Sequence, residues 1–264
     1  MAAMCLPTCK TEFDSRGWCK LPPPSIYDGT MPRTDKSPLM NKLDPRLHAA
    51  RPDLADIALQ GLVTADRFVA PTPHQCVVEW EPLFHKPGGE QCSELLRTEQ
   101  FMTLEINDSW AWGWCAHDHY VGYIRSDALS NDIMAPQAAP PTDAVDFARQ
   151  FLGRPYVWGG RGGEGIDCSG LIQRSMAARG VMAQRDSDMQ QATLGRLLND
   201  DEVPQRGDIL FFPGHVGMMT DEENMIHATR AFNKTVEEPL ADALVRIAKK
   251  NDGVTILARK RVEP

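Results

Sequence analysis

The chain has 264 residues and a formal net charge of −8, with 42% hydrophobic and 24% charged residues. This composition is typical of a globular protein that is long enough for two small domains. The acidic balance argues against nucleic acid as a partner, because phosphate binding requires a surplus of Lys and Arg. No apolar run approaches the roughly 18 residues that span a bilayer. We therefore predict neither a nucleic-acid nor a membrane partner.

Residues 1–42 contain three consecutive prolines, Pro22 to Pro24, and indicate a disordered leader. They lack the continuous apolar stretch of a secretory signal, so we predict a cytoplasmic protein. The chain has seven cysteines at irregular spacing, which favours reduced thiols over a disulfide framework. A zinc site on Cys5 and Cys9 would need a second ligand pair, and none follows. We therefore expect no metal and no cofactor.

Residues 43–133 begin with short helical pieces around Pro52 and continue as short strands separated by turns. The strand candidates are Phe68-Val69, Val77-Val78, Leu83-Phe84, Phe101 to Ile106, Trp110 to Cys115 and Tyr120 to Ile124. Many short strands at close spacing predict a small all-β barrel. Residues 134–141 contain Pro136, Pro140 and Pro141, and a proline-rich stretch of this kind indicates a semi-rigid linker.

Residues 142–264 change to helical periodicity first and to strands later. Thr142 or Asp143 can cap a helix that carries apolar residues as far as Leu152. A second helix is predicted from Cys168 to Gly180. The predicted strands are Asp208 to Phe212, His215 to Met219, Met225 to His227 and Val254 to Ala258. Helices followed by antiparallel strands predict an α+β fold.

Cys168 differs from the other cysteines because it follows a glycine-rich loop and opens a predicted helix. Free N–H groups and the positive end of the helix dipole favour the thiolate, which is the attacking form. The same N–H groups can receive an oxyanion. The alternative is an inert buried thiol, the commoner fate of a lone cysteine.

Two histidines favour the catalytic interpretation. His215 lies between Gly214 and Val216-Gly217 at a predicted strand start, and His227 follows among apolar neighbours. A nucleophilic cysteine needs a base, and the base needs a third group that holds its tautomer. If the two strands pair, both imidazoles can point toward the helix start that holds Cys168.

Five motifs resemble the NlpC/P60 family in order and spacing. They are Pro155 to Gly160, Asp167 to Leu171, Gly207 to Phe212, Gly214 to Gly217 and Ile226 to Ala228. The resemblance covers residues 142–264 and implies a circularly rearranged papain-like α+β fold that cleaves bacterial cell-wall stem peptides. It implies that Cys168 is the nucleophile, His215 the base and His227 the orienting third member.

The β-rich region resembles a bacterial SH3 domain, most clearly at Tyr120 to Ile124. The whole chain resembles the SH3-bearing γ-D-glutamyl-L-diamino acid endopeptidases, in which the SH3 domain closes the cleft so that only a free N-terminal L-Ala-γ-D-Glu dipeptide fits. The resemblance implies that the dipeptide is contacted by Tyr120, Tyr156, Trp158, Asp167, Ser169, Asp186 and Ser187. Of these, Tyr120 is the residue that the SH3 domain contributes to the site. For Asp186 and Ser187 the alternative is an ordinary helix cap. An acidic partner for the substrate amine is also required, and Glu79, Glu81 and Glu99 are its candidates.

The leading hypothesis is a cysteine endopeptidase that hydrolyses the bond between γ-D-Glu and the diamino acid of murein peptides with a free N-terminal L-Ala, in peptidoglycan recycling. The alternatives are an exported wall-lytic endopeptidase with the SH3 domain as a wall-binding module, a non-enzymatic binding protein, and an acyltransferase or amidase on the same scaffold.

Overall fold

The computed structural model describes residues 43–134, 140–199 and 201–263. The predicted leader 1–42 and residues 135–139 of the predicted linker lie outside this part of the chain. A strand-rich region comes first and a mixed region of helices and strands follows, in agreement with the α+β prediction. Within the described ranges, no helix has both the length and the apolar character that a bilayer crossing requires.

The N-terminal region is built on a short parallel pair and a seven-stranded antiparallel sheet. The pair joins β1 (Ala55–Asp56) to β2 (Phe68–Val69). The strands of the sheet are β3 (Thr72–Cys76), β4 (Trp80–Phe84), β5 (Gln91–Leu96), β6 (Gln100–Asn107), β7 (Trp110–Cys115), β8 (Val121–Arg125) and β9 (Leu129–Ser130), in the spatial order β5-β4-β8-β7-β6-β3-β9. One face of the sheet contributes Leu83, Leu95, Phe101 and Ile124 to a single buried cluster, because side chains on one face recur every second residue.

The C-terminal region is built on a six-stranded sheet between helices. Its helices are α1 (Ala144–Arg149), α2 (Cys168–Ala178), α3 (Ser187–Thr193) and α4 (Leu240–Lys250). Its strands are β10 (Arg196–Leu197), β11 (Ile209–Phe212), β12 (His215–Met219), β13 (Asn224–Thr229), β14 (Lys234–Pro239) and β15 (Ala258–Arg261), in the spatial order β10-β15-β11-β12-β13-β14.

The strand β11 explains why four consecutive large apolar residues are tolerated in this sheet. Ile209 and Phe211 pack in the cluster that contains the buried residues of α1 and α2. Leu210 and Phe212 pack on the other face in the cluster that contains Ala243 of α4. Because helices cover both faces, every position of the strand is buried.

Several boundaries differ from the sequence predictions, and three differ most clearly. Val77 and Val78 are exposed and follow β3, which ends at Cys76. Residues with a high β propensity form strands where they can pack on a half-buried pleated surface, and these two valines do not lie on such a surface. The helix α1 ends at Arg149 and the strand β15 begins at Ala258, so the predictions that extended the helix to Leu152 and began the strand at Val254 were wrong.

The two regions meet through a buried arginine. Arg161, from the glycine-rich loop, is 2% exposed. Its guanidinium donates to both carboxylate oxygens of Glu99 at 2.6 and 3.0 Å and to the Glu94 carbonyl at 2.8 Å. Gly163 of the same loop lies so close to the Trp80 ring that a Cβ would fall 2.4 Å from it. The loop glycines therefore allow close docking of the strand-rich region, and this docking sets the position of Tyr120.

Candidate active site

Cys168 is the first residue of α2, and local chemistry explains why the helix starts there. Asp167 has an extended backbone and occupies the N-cap, where its carboxylate accepts a hydrogen bond from the Gly170 N–H at 2.7 Å. Backbone groups of Ser169 and Val216 contact the thiol. Because Val216 follows His215 directly, the thiol lies beside the start of β12.

The thiol and the imidazole of His215 are both held in their neutral forms. Burial, with a smaller contribution from the Asp167 charge, raises the pKa of Cys168 to about 12. Burial, with smaller contributions from His227 and Lys250, lowers the pKa of His215 to about 3. The helix start was expected to favour the thiolate, but here removal from water outweighs the contribution of the backbone groups.

A tight turn brings His215 to its place. Phe212 pairs with His215 across a two-residue connection, Pro213-Gly214, in which Gly214 adopts a positive φ of 63°. Such a backbone is readily adopted by glycine. The strands β12 and β13 pair antiparallel, as expected for the two histidines. His215 Nε2 lies 2.7 Å from Nδ1 of His227.

The hydrogen-bonded chain continues beyond His227, which is 2% exposed. Its Nε2 lies 2.7 Å from Oε1 of Glu238 on β14, and Glu238 forms an ion pair with Arg246 of α4. Burial opposes ionisation of Glu238, but the hydrogen bonds from His227 and Arg246 outweigh it and lower the pKa of this carboxyl. Since a carboxylate only accepts, Nε2 of His227 carries the proton and Nδ1 of His227 accepts from His215. Nδ1 of His215 is then free to accept a proton from a thiol.

A cavity of about 330 Å³ opens in front of Cys168. Six of the seven predicted substrate contacts line it, namely Tyr120, Trp158, Asp167, Ser169, Asp186 and Ser187. Tyr156 lines a neighbouring cavity of about 360 Å³ together with His215 and His227. Trp158 and Gly214 border both cavities, so the two spaces meet beside the thiol and the imidazole.

The side chain of Asp186 does not act as an ordinary helix cap. It occupies the N-cap position of α3 but makes no side-chain capping bond. Instead its carboxylate accepts from the Tyr120 hydroxyl at 2.9 Å and from Arg46 at 2.8 Å. Arg46 also contacts the carboxylates of Asp44 and Asp188. Three carboxylates therefore surround one guanidinium, and this end of the cavity carries an excess of negative charge.

The three glutamates proposed as partners of the substrate amine do not line the Cys168 cavity. Glu79 forms an ion pair with Arg97, and Glu99 forms one with Arg161. Glu81 lies on β4, where burial raises the pKa of its carboxyl. The acidic groups that line the cavity, apart from Asp167, are Asp186 and Asp188. None of the three candidates is at the cavity, because the packing of the two domains determines which carboxylates face the cleft.

Comparison with protein-family models matches residues 153–246 to the NlpC/P60 family and residues 83–129 to the bacterial dipeptidyl-peptidase SH3 domain. The chain contains an NlpC/P60 domain, which is a cysteine-peptidase domain, preceded by a bacterial SH3 domain.

Part of the chain is similar to curated proteins. The chain is 33% identical over 117 residues to dipeptidyl-peptidase 6 of Lysinibacillus sphaericus, with 43% of each protein covered. It is 37% identical over 109 residues to the γ-D-glutamyl-L-lysine dipeptidyl-peptidase of Bacillus cereus, with 38% of this chain and 31% of that protein covered. The chain thus spans less than half the length of these relatives. A crystal structure of an NlpC/P60 family protein from Bacillus cereus aligns over 74% of this chain and 64% of its own, at 23% identity and a TM-score of 0.41.

Arg185 is a residue of the NlpC/P60 domain that sequence reasoning missed. It is 1% exposed and donates to the two oxygens of Asp167 at 3.0 and 2.7 Å. It also donates to the Ser169 hydroxyl at 3.0 Å. Asp167 and Ser169 are therefore held by protein groups, which positions the start of α2. The signal was weak, since an arginine beside two aspartates usually marks a solvated surface.

Glu238, Arg246 and Arg46 were also missed. Their sequence contexts are ordinary. The register of β13 against β14 brings Glu238 to the site, and the packing of α4 brings Arg246 there. Arg46 lines the Cys168 cavity because its segment packs near the cleft.

One group among the described residues has the composition of a metal site, Cys115, His117 and Asp118 of the SH3 domain. Asp118 already accepts from Gln173 Nε2 at 2.7 Å and from the Tyr120 N–H at 2.9 Å. None of the three residues lines the cavities that hold Cys168 and His215.

Proposed function

We propose that the protein is a cysteine endopeptidase that hydrolyses the bond between γ-D-Glu and a diamino acid in murein peptides with a free N-terminal L-Ala. The observation that carries the proposal is the acidic end of the Cys168 cavity, where Tyr120 of the SH3 domain meets Asp186 of the NlpC/P60 domain. The name of the Bacillus cereus relative, γ-D-glutamyl-L-lysine dipeptidyl-peptidase, supports this substrate class. The name of the Lysinibacillus sphaericus relative, dipeptidyl-peptidase 6, supports release of a dipeptide.

In the proposed reaction His215 accepts the thiol proton through Nδ1 while the sulfur of Cys168 attacks the γ-carbonyl of D-Glu. The imidazolium is stabilised through His227 and Glu238, whose hydrogen bonds keep the required tautomer. His215 then returns the proton to the departing amine, the C–N bond breaks and a thioester remains. Attack by water on the thioester releases the dipeptide and restores the thiol.

The neutral resting pair is compatible with this sequence of proton transfers. An imidazole whose pKa is about 3 accepts a proton only when the attacking sulfur gives it up. In the proposed reaction His215 therefore acts as the general base during the attack, the role that histidine has toward a serine nucleophile.

Selection of the dipeptide follows from size and charge. A cavity of about 330 Å³ is at the small end of ligand sites, so it suits a group of dipeptide size. The ammonium of L-Ala would meet Asp186 and the Tyr120 hydroxyl. Acetylation removes the charge that Asp186 would attract and adds bulk beside it, so the acetylated peptide would react more slowly.

The test compares L-Ala-γ-D-Glu-meso-diaminopimelate with its N-acetylated form, with products identified by mass. The free peptide should yield the dipeptide, with kcat/KM higher by roughly a hundredfold or more. Comparable cleavage of both forms, or release of soluble fragments from intact sacculi, would support the wall-lytic alternative.

A role in peptide recycling in the cytoplasm is part of the same proposal. The four described cysteines, Cys76, Cys92, Cys115 and Cys168, are free thiols, and reduced thiols are typical of a reducing compartment. Intact murein, whose L-Ala is amide-linked to the glycan, lacks the ammonium that the acidic end would bind.

A further inference from the structure

The cavity beside His215 carries a charge opposite to that of the Cys168 cavity. Three cations line it, Arg230, Arg246 and Lys250, and no Asp or Glu does. Arg246 is paired with Glu238. Within the described residues, Arg230 and Lys250 have no carboxylate partner. The positive charge of this space is therefore largely uncompensated.

Arg230 is held in place without being neutralised. Its guanidinium lies 4.9 Å from the ring centroid of Trp158 and 5.5 Å from that of Tyr156. Stacking on two aromatic faces limits the conformations of the side chain. The guanidinium also contacts the Tyr156 hydroxyl, and its charge remains available to a planar anion. Lys250 ends the helix α4, and its charge contributes to the lowered pKa of His215, so it lies close to that imidazole.

The position of this cavity assigns it to one part of the substrate. If the acyl half occupies the space that Cys168 lines, the amine half leaves on the side that His215 lines, because the same imidazole must protonate the departing nitrogen. The cleft as a whole is then acidic where the peptide begins and basic where the peptide ends.

We propose that Arg230 and Lys250 determine specificity by binding carboxylates of the leaving amino acid, so that a diamino acid with a second carboxylate is preferred over lysine. This inference rests on the proposed function and extends it to the leaving group. Diaminopimelate carries one more carboxylate than lysine at the end of its side chain. The lysine side chain ends in an ammonium with no carboxylate beside it, and a basic cavity repels that ammonium.

The experiment measures kcat/KM for L-Ala-γ-D-Glu-meso-diaminopimelate and for L-Ala-γ-D-Glu-L-lysine at low and high salt. The variants are Arg230→Gln, Lys250→Gln and the double change, with Arg230→Lys as the charge-preserving form. Lys249→Gln is the matched control, since Lys249 is an exposed neighbour on α4 that does not line the cavity.

The wild type should prefer the diaminopimelate peptide at low salt, and each Gln variant at the cavity should reduce that preference by about fivefold, the equivalent of one exposed ion pair. Arg230→Lys and Lys249→Gln should retain it. High salt should reduce the preference of the wild type, because exposed charges are screened. A purely structural role of Arg230 would lower both rates equally and would contradict the proposal.

Two further outcomes separate this inference from the proposed function. Equal cleavage of both peptides by the wild type, unchanged in the variants, would overturn the specificity assignment while the endopeptidase activity stood. Failure to cleave either peptide at the γ-D-Glu bond would overturn both.

Discussion

The hydroxyl of Tyr120 donates to the carboxylate of Asp186 at 2.9 Å, which joins the SH3 domain to the NlpC/P60 domain across the cavity of Cys168. Burial, together with the charge of Asp186, raises the pKa of Tyr120, so the hydroxyl stays protonated and keeps donating. The two residues are 66 positions apart in the chain.

Tyr120→Phe should weaken the selection of a free amine without unfolding the SH3 domain. The change removes one hydroxyl and keeps the ring that packs in the buried cluster. The ratio of kcat/KM for free and acetylated peptide should fall by roughly tenfold to a hundredfold, the effect of one hydrogen bond to a charged group. Tyr123→Phe is the matched control, because that hydroxyl accepts from Arg51 at 3.1 Å and does not line the cavity. An unchanged ratio in the Tyr120 variant would remove Tyr120 from the selection mechanism.

Cys168→Ala and Cys168→Ser should each abolish hydrolysis while the fold is retained. Loss of a covalent nucleophile lowers kcat by on the order of a thousandfold or more. Turnover of the tripeptide measures the loss, and circular dichroism checks the fold. Cys92→Ala is the control, since Cys92 also lines the cavity but its thiol donates to the Leu83 carbonyl. Activity of the alanine variant above a few per cent of the wild type would refute the assignment of the nucleophile.

His215→Ala should lower kcat by about 10²–10⁴, because general acid–base catalysis is lost. His227→Ala and Glu238→Ala should cost less, up to roughly a hundredfold, since these residues only orient the base. Glu237→Ala controls for the loss of a carboxylate on the same strand, where Glu237 pairs with Arg149. The ranking of the four variants by turnover is the measurement. A His227 variant slower than the His215 variant would reverse the two roles.

Alkylation of Cys168 by iodoacetamide should speed up steadily with pH. The pKa of the thiol is raised to about 12 by burial, so the thiolate fraction should rise about tenfold per pH unit between roughly pH 6 and 9. Mass spectrometry of the wild type and of Cys168→Ala identifies the modified site. A rate that is already constant below neutral pH would show a preformed thiolate–imidazolium pair.

His215 should make the fold sensitive to mild acid. Burial lowers its pKa from 6.5 to about 3 in the folded state. Between these pH values the unfolded chain binds a proton at His215 that the folded chain does not bind. The contribution of His215 to the free energy of unfolding is therefore fully present above about pH 6.5 and is lost as the pH falls toward 3. Urea unfolding at pH 7 and pH 5 should show a loss of at most about 2 kcal/mol attributable to this residue, from about 1.4 kcal/mol per pH unit. His215→Gln should show a smaller difference between the two pH values. Equal differences in both proteins would contradict the lowered pKa.

The sequence by itself determined the reactive pair and its setting. A cysteine that opens an apolar-periodic helix and a histidine that follows a Pro-Gly turn are local patterns, and local patterns depend on residues a few positions apart. The helix from Cys168 and the pairing of the strands of His215 and His227 follow from hydrophobic periodicity, and the structure has both. The strand-rich region before the helical one could be predicted for the same reason.

Only the tertiary structure decided which charged groups complete the site. Glu238 contacts His227 because of the register between two strands. Arg185 forms a buried ion pair with Asp167, although its sequence context is that of a surface arginine. Asp186, and not Glu79, Glu81 or Glu99, faces the cavity with Tyr120 because of domain docking. These contacts join residues that are 11, 18 and 66 positions apart in the chain. Their free energy depends on burial and on mutual distance, which local sequence does not specify.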